Sequence, residues 1–371
     1  AIDLRCVILP HVGVLSFCVF LRIPRRKEVF EENIVSEDLC SSVLSRSIYT
    51  DAAETFLLMK CPKEIPKESK HMRKSLLALL AVGLTCGLSG NASAHIGEQV
   101  YLVFEIPDAD LADIDLRDVS VADWEDVVGD APLVATDFFA DPTVGEGAQY
   151  DPADLDYRIW MGWNGNASTI YMAMERVDNV YVNEYAGGDL GQLWRHDAIE
   201  FMLDGDHTGG DYTGSADENW TDEEKKLNGN RSAQQYVAIA DTPDGRHVGY
   251  QGAGADWVNA LPYADGGGGS VGEGPTTSIF EFYVTPFDDL IWNSPDDSQA
   301  TNMVDGAIIG FQVSVPDFDT APSEYRAFHT LSGQAATWRY AERFVDGRLV
   351  GAGGSTAVEN ASWGRIKASV E

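Results

Sequence analysis

The chain has 371 residues, 44% of them hydrophobic, and carries a formal net charge of −33 from 59 acidic and 26 basic side chains. So acidic a surface repels phosphate backbones and anionic lipid, which excludes nucleic acid and membrane surfaces as partners and leaves neutral ligands and divalent cations. All five cysteines (Cys6, Cys18, Cys40, Cys61 and Cys86) precede residue 95, so residues 95–371 must rest on their own core without disulfides, and they are numerous enough to do so.

Met72, Arg73 and Lys74 form a basic start, residues 75–88 an apolar run, and Ala92, Ser93 and Ala94 a small-residue cleavage site. That order reads as an export signal peptide over residues 72–94, cleaved after Ala94. The apolar run is shorter than the roughly 18 residues a membrane span needs. Residues 1–71 show neither period nor turn logic and are read as mis-translated sequence ahead of Met72, or as a disordered N-terminal extension. The part from 95 to 371 is expected to be periplasmic, at the cell surface or extracellular, with no membrane span.

Residues 98–106 read as a first strand that stops at Pro107. Asp113, Ile114 and Asp115 follow, then Trp124 in an acidic setting, where a large ring is expected to plug the core. After a Pro-, Gly- and Asp-rich loop over 140–156, two apolar runs at 157–163 and 169–177 flank Asn164, Gly165 and Asn166, a hairpin signal. Met172 and Met174 alternate in the return strand as core filler. Residues 209–231 and 252–275 read as long mobile polar loops, the second including four successive glycines, Gly266 to Gly269. Residues 233–240, 278–284, 307–315 and 362–367 read as further strands, and no helical period stands out. The pattern predicts one all-β domain over residues 95–371, an antiparallel β-sandwich of immunoglobulin-like or jelly-roll-like kind with long Gly/Asp-rich loops.

Residues 193–206 organise the rest. Ile199, Phe201 and Leu203 fall on one side of a period-2 ladder and Ala198, Glu200 and Met202 on the other, so one face enters the core while the other presents a carboxylate. Trp194 stands just before this strand, at a loop mouth, and Asp204, Gly205 and Asp206 form an acidic turn after it. The succession of Trp, two polar residues, Asp, a small residue, an apolar residue, Glu, an aromatic residue, two apolar residues and Asp resembles the family-nine carbohydrate-binding modules and their DOMON-like relatives, which are exported bacterial β-sandwiches. The Asp113–Trp124 separation agrees with the start of that family. The resemblance implies non-catalytic recognition of a carbohydrate, with two Trp rings sandwiching a sugar and a Glu fixing its hydroxyls. Flat rings suit the C–H face of a sugar, and carboxylates, amides and Arg suit its hydroxyls. Carried onto this chain, the stacking rings are Trp194 and Trp338, the latter in a Trp-Arg context with Arg339, and the carboxylate is Glu200; His196 is a neighbouring donor. Residues 345–361 read as a Gly-rich insertion before the last strand. The sugar-binding Arg of the family has no counterpart, Gln235 or Tyr236 standing in its place.

Asp204, Asp206 and Asp211 are candidate ligands for calcium, which the resemblance implies as a structural ion and which takes several oxygens, although Asp-Gly-Asp is also ordinary turn chemistry. Two other readings stay open. One is a haem b electron-transfer domain of the DOMON-like kind, for which Met161, Met172, Met174, Met202 and Met303 and His196 and His329 offer ligand types without a Cys-x-x-Cys-His attachment site. The other is a structural or protein-binding sandwich that keeps the fold without a ligand. No serine elbow, zinc motif or phosphate loop is present.

Overall fold

Alternation of apolar and polar residues yields strands β1 (Val100–Glu105), β2 (Leu133–Val134), β3 (Phe139–Ala140), β4 (Leu155–Asn164), β5 (Thr169–Asp178), β6 (Ile199–Asp204), β7 (Gln234–Ala238), β8 (Val248–Tyr250), β9 (Ala264–Val271), β10 (Thr276–Val284), β11 (Phe287–Asp289), β12 (Gln299–Ala300), β13 (Ile308–Phe318), β14 (Tyr325–Thr330) and β15 (Val345–Val350). The computed structural model describes residues 99–141, 143–144, 148–213 and 219–352, all within the unit Gly90–Glu371. The signal peptide and extension expected before residue 95, and the strand expected at 362–367, lie outside the described residues.

One mixed sheet runs in the order β8-β7-β6-β13-β15-β1-β4-β5-β10-β9, with β14 pairing to β13, β3 to β14 and β2 to β4. Its two ends, β8 and β9, come back against each other, so the sheet curls around one core. Phe201 of β6 meets Phe282 of β10 across that core and Phe311 of β13 beside it, each at 6.5 Å between ring centroids. The all-β expectation is met, as is the hairpin, in which β4 pairs with β5 from Leu155–Asp178 to Asn164–Thr169. Antiparallel pairing is not universal: β1 lies parallel to both β15 and β4.

Three segments differ from their sequence reading. Residues 345–350 are not an insertion but β15, which sits between β1 and β13; Gly347 belongs in it because a Cβ there would lie 2.9 Å from the Phe311 ring. The glycine run is not a mobile loop but β9, paired along its length with β10. Its bareness has a use: a Cβ on Gly267 would fall 2.1 Å from the Leu116 carbonyl oxygen, so the loop carrying Leu116 rests directly on the strand. The polar loop at 209–231 contains a helix, Asp222–Ser232, following the short helices α1 (Asp108–Leu111) and α2 (Ala122–Val127); it is α3. Thr221 and Glu224 cap it reciprocally, the side chain of each accepting from the backbone N–H of the other.

On β6, Ile199, Phe201 and Leu203 are buried in the main core, as the ladder predicts. Met202, on the opposite face, packs with Tyr212, Ala233, Ala341 and Phe344. That second face is therefore roofed by the chain segments around Tyr212 and Phe344, and beside the roof a cavity remains.

Candidate functional site

The cavity measures about 480 Å³ and is lined chiefly by Trp194, Glu200, Gln235, Gln251, Tyr325 and Trp338, a size and character usual for a small-molecule site. Glu200 of β6 and Gln235 of β7 form its polar floor, the Gln235 amide Nε2 donating to Glu200 Oε2 at 3.1 Å. Glu200 is 2% exposed, and burial pushes its carboxyl up to about 8 even though the Gln235 bond favours the ionised form. At neutral pH the group holds a proton and offers one O–H donor beside its acceptor oxygens. Gln251, just past β8, is fixed by bonds from its Nε2 to the carbonyls of Leu190 (3.1 Å) and Gly249 (3.0 Å).

The walls come from two distant loops. Trp194 belongs to a 3₁₀ turn over Leu190–Arg195, started by Asp189 Oδ1 accepting from the Gly191 N–H at 3.0 Å and anchored by the buried Leu190 and Leu193. With its neighbours pinned, the Trp194 ring stays half-buried at the mouth, the Arg195 guanidinium 5.9 Å from its centre. Trp338 is 41% exposed, but its backbone is tightly held. The Tyr212 hydroxyl donates to the Thr337 carbonyl at 2.7 Å, the Tyr212 N–H to the Arg339 carbonyl at 3.0 Å, and the Ala336 N–H to Asp141 at 3.1 Å. An open aromatic ring on an ordered backbone is what stacking on a ligand needs, since little freedom is left to lose on binding. Tyr325 and Phe328 of β14 complete the apolar side, edge to face at 5.7 Å.

Behind the Trp194 turn lies a buried ionic knot. Arg176 of β5 donates to Asp178 (2.5 and 2.9 Å), Asp197 (2.7 Å), Asp317 (3.1 Å) and the Pro316 carbonyl (2.6 Å). Burial alone would lower the Arg176 pKa, but Asp197, Asp178 and Asp317 together raise it, so the guanidinium stays charged. Asp197 also accepts from the backbone of Val182 and Phe318. It thereby fixes the chain midway between Trp194 and Glu200.

Trp194, Trp338 and Glu200 are thus brought together. Arg339 and His196 do not line the same cavity. Arg339 pairs with Asp211 at 2.8 Å and lies 4.9 Å over the Tyr340 ring, bracing the Trp338 loop. His196 borders a separate cavity of about 330 Å³ with Glu184, Tyr185 and Arg195; its Nδ1 accepts from the Glu184 N–H at 3.2 Å, and burial lowers its pKa. Asp204, Asp206 and Asp211 do not gather as a set of ligand oxygens among the described residues, and Arg339 already supplies the positive charge at Asp211. Asp204 accepts from the N–H groups of Thr208 (3.2 Å) and Gly209 (2.6 Å), Asp206 closes a turn on Thr208, and Asp211 is engaged by Arg339. For haem, both ring nitrogens of His329 are occupied, by the Tyr157 hydroxyl at 3.1 Å and the Ala148 carbonyl at 3.3 Å. Met161, Met172, Met174 and Met303 fill the main core and Met202 the cluster around Tyr212. Gln251, Tyr325 and Phe328 are additions that sequence reasoning misses: β8 is only three residues long, and β14 leaves β13 through an irregular register.

No protein-family profile and no curated protein matches the chain. Among solved structures it is similar to a family 9 carbohydrate-binding module from Caldicellulosiruptor kristjanssonii in complex with cellotriose, at 12% identity and a TM-score of 0.39, over 71% of this chain and 99% of that one. It is also similar to a family 9 module from the same organism in complex with glucose, at 11% identity and a TM-score of 0.40, over 71% and 100% of the two chains.

Proposed function

We propose that this is an exported, non-catalytic carbohydrate-binding protein that receives a neutral sugar in the cavity between Trp194 and Trp338. The observation that carries the reading is convergence: two aromatic rings about 140 residues apart in sequence border one cavity whose floor is a buried Glu200–Gln235 pair. The rings supply faces for sugar C–H groups. The protonated Glu200 carboxyl, Gln235 and Thr213 supply donors and acceptors for hydroxyls. Among the described lining residues Glu200 is the one carboxylate, where hydrolysis of a glycoside would call for a working pair. Export follows from the signal peptide read at residues 72–94.

A glycan array screened with the purified protein tests this directly, followed by titration calorimetry on the best binder. The expected result is selective binding that Trp194→Ala and Trp338→Ala each weaken at least about tenfold. An array without any bound sugar, or variants that bind as the parent does, would overturn the proposal.

A further inference from the structure

A second cluster of carboxylates lies away from the cavity, where the loop after α1 crosses the outer face of β10. Glu281 of β10 is 0% exposed. Its Oε1 accepts from the indole Nε1 of Trp124 at 3.0 Å, while Oε2 is buried with no hydrogen-bond partner among the described residues. A buried carboxylate oxygen left without a partner costs several kcal/mol of lost hydration, so the residues around it bear directly on what it is for. They are acids: one oxygen each from Asp118, Asp123 and Glu281 lie within 4.8 Å of one another. The nearest basic side chain of the loop, Arg117, is engaged elsewhere, paired with Asp265 at 2.5 Å.

The loop is built to hold this arrangement. The Asp123 carboxylate accepts from the N–H groups of Asp115 and Trp124, each at 2.8 Å, and Asp118 accepts from the Ser120 N–H at 2.9 Å. The bare strand β9 lets the segment descend to the sheet, with Leu116 over Gly267 and Val119 over Gly269. Trp124, 0% exposed, fills the core beneath and aims its N–H at the same carboxylate. Burial, followed by the charges of Asp123, Asp118 and Asp115, pushes Glu281 up to about 8, the strain of gathering like charges with nothing between them.

We propose that Asp118, Asp123 and Glu281 form a site for a hard divalent cation of the size of calcium, which clasps the loop over residues 113–123 to β10. Two oxygens bound to one calcium ion at about 2.4 Å each lie no more than roughly 4.8 Å apart, whereas a magnesium ion draws its ligands closer and demands a stricter octahedron. Three carboxylates, one of them with a buried oxygen that has no hydrogen-bond partner among the described residues, meet the first requirement. The cation supplies the charge that the cluster lacks and turns an electrostatic cost into a tie between the loop and the sheet. This site is independent of the sugar cavity, and its success or failure says nothing about that reading.

Terbium, a luminescent stand-in for calcium, makes the test local, because an indole beside the bound ion sensitises its emission and Trp124 donates to one of the proposed ligands. Full-length protein, first stripped with a chelator, is titrated with terbium and then with calcium as competitor, and melting is followed with and without calcium. The expected result is sensitised emission that calcium quenches, a rise in melting temperature of several degrees with calcium, and loss of both in Glu281→Gln and in Asp118→Asn. Asp118 is exposed, so that variant folds whatever Glu281→Gln does to the core. Absence of emission and of any thermal shift in the parent protein, or a calcium response that persists undiminished in Asp118→Asn and Glu281→Gln, overturns the proposal.

Discussion

Glu200→Gln keeps the shape of the cavity floor while removing its ionisation, so it separates what the proton on Glu200 does from what its geometry does. The folded carboxyl sits near 8 against an ordinary value of 4.5 because burial disfavours the charge. The stability tied to this group is therefore complete below pH 4.5 and is lost as the pH rises through 8. A tenfold change in proton affinity is worth about 1.4 kcal/mol. Glu200→Gln should accordingly match the parent in denaturant unfolding at pH 4.5 and exceed it by roughly 4 kcal/mol at pH 8; a variant no more stable than the parent at pH 8 would show that the carboxyl is not held protonated. Trp338→Ala should shift stability by less than about 1 kcal/mol, because the ring is open and the loop is held through its backbone, while sugar affinity falls at least about tenfold in calorimetry. Glu200 was legible in the sequence because a strand with a period of two places it opposite the core-facing residues, and Trp194 because it opens the succession that resembles the family-nine modules. The local Trp-Arg context singles out Trp338, but its arrival at the same cavity depends on the ties to Tyr212 and Asp141, contacts across more than a hundred residues that no local pattern encodes. The same reasoning explains Arg339: the context that marks Trp338 also marks its neighbour, whose partner, Asp211, is known only once the two loops meet.

At the scale of elements, β9 shows how composition misleads. Four glycines in a row read as a mobile loop when the chain is considered alone, yet they form a paired strand because both of its surfaces are approached closely: Leu116 and Val119 lie on one side and Ala240 on the other. Gly267→Ala should be costly, roughly 2–4 kcal/mol in chemical denaturation, since the added Cβ meets backbone at 2.1 Å and the loop has to lift. Gly269→Ala meets only the Val119 side chain, at 3.1 Å, and should cost clearly less. Equal losses at the two positions would mean that strand pairing, not loop approach, demands glycine. Helix α3 was hidden for a different reason. It buries little beyond Gly229 and Asn230 and has no apolar stripe, yet its start is written in the Thr221–Glu224 spacing. Thr221→Ala should cost about 1 kcal/mol, detectable by the same denaturation. The β15 strand combined both difficulties, a glycine demanded by the Phe311 ring and a run of only six residues set between two strands from far away in the chain.

For the molecule as a whole, the Arg176 knot decides how the curled sheet responds to pH. It joins β5 on one side of the core to Pro316 and Asp317 of β13 and to Asp197 at the entry to β6 on the other. Three buried carboxylates surround one guanidinium, so the knot carries more negative than positive charge, and burial pushes both Asp197 and Asp317 upward in spite of Arg176. A carboxyl raised in the folded state contributes stability at low pH that is lost as the pH climbs through its folded value, and Glu200 adds to the same trend up to about 8. The chain's large negative charge works in the same direction, because self-repulsion grows as each remaining acid ionises. The protein should therefore melt higher at pH 6 than at pH 9. Arg176→Met keeps much of the stem and removes the cation, leaving three buried acids unpaired, a loss of roughly 3–5 kcal/mol. Protonation relieves unpaired acids, so the deficit should be largest at pH 8 and distinctly smaller at pH 5, read as the difference in unfolding free energy between parent and variant at each pH. A deficit that stays constant across this range would mean that Arg176 matters through its packing, and that the two sides of the sheet are joined by shape and not by charge.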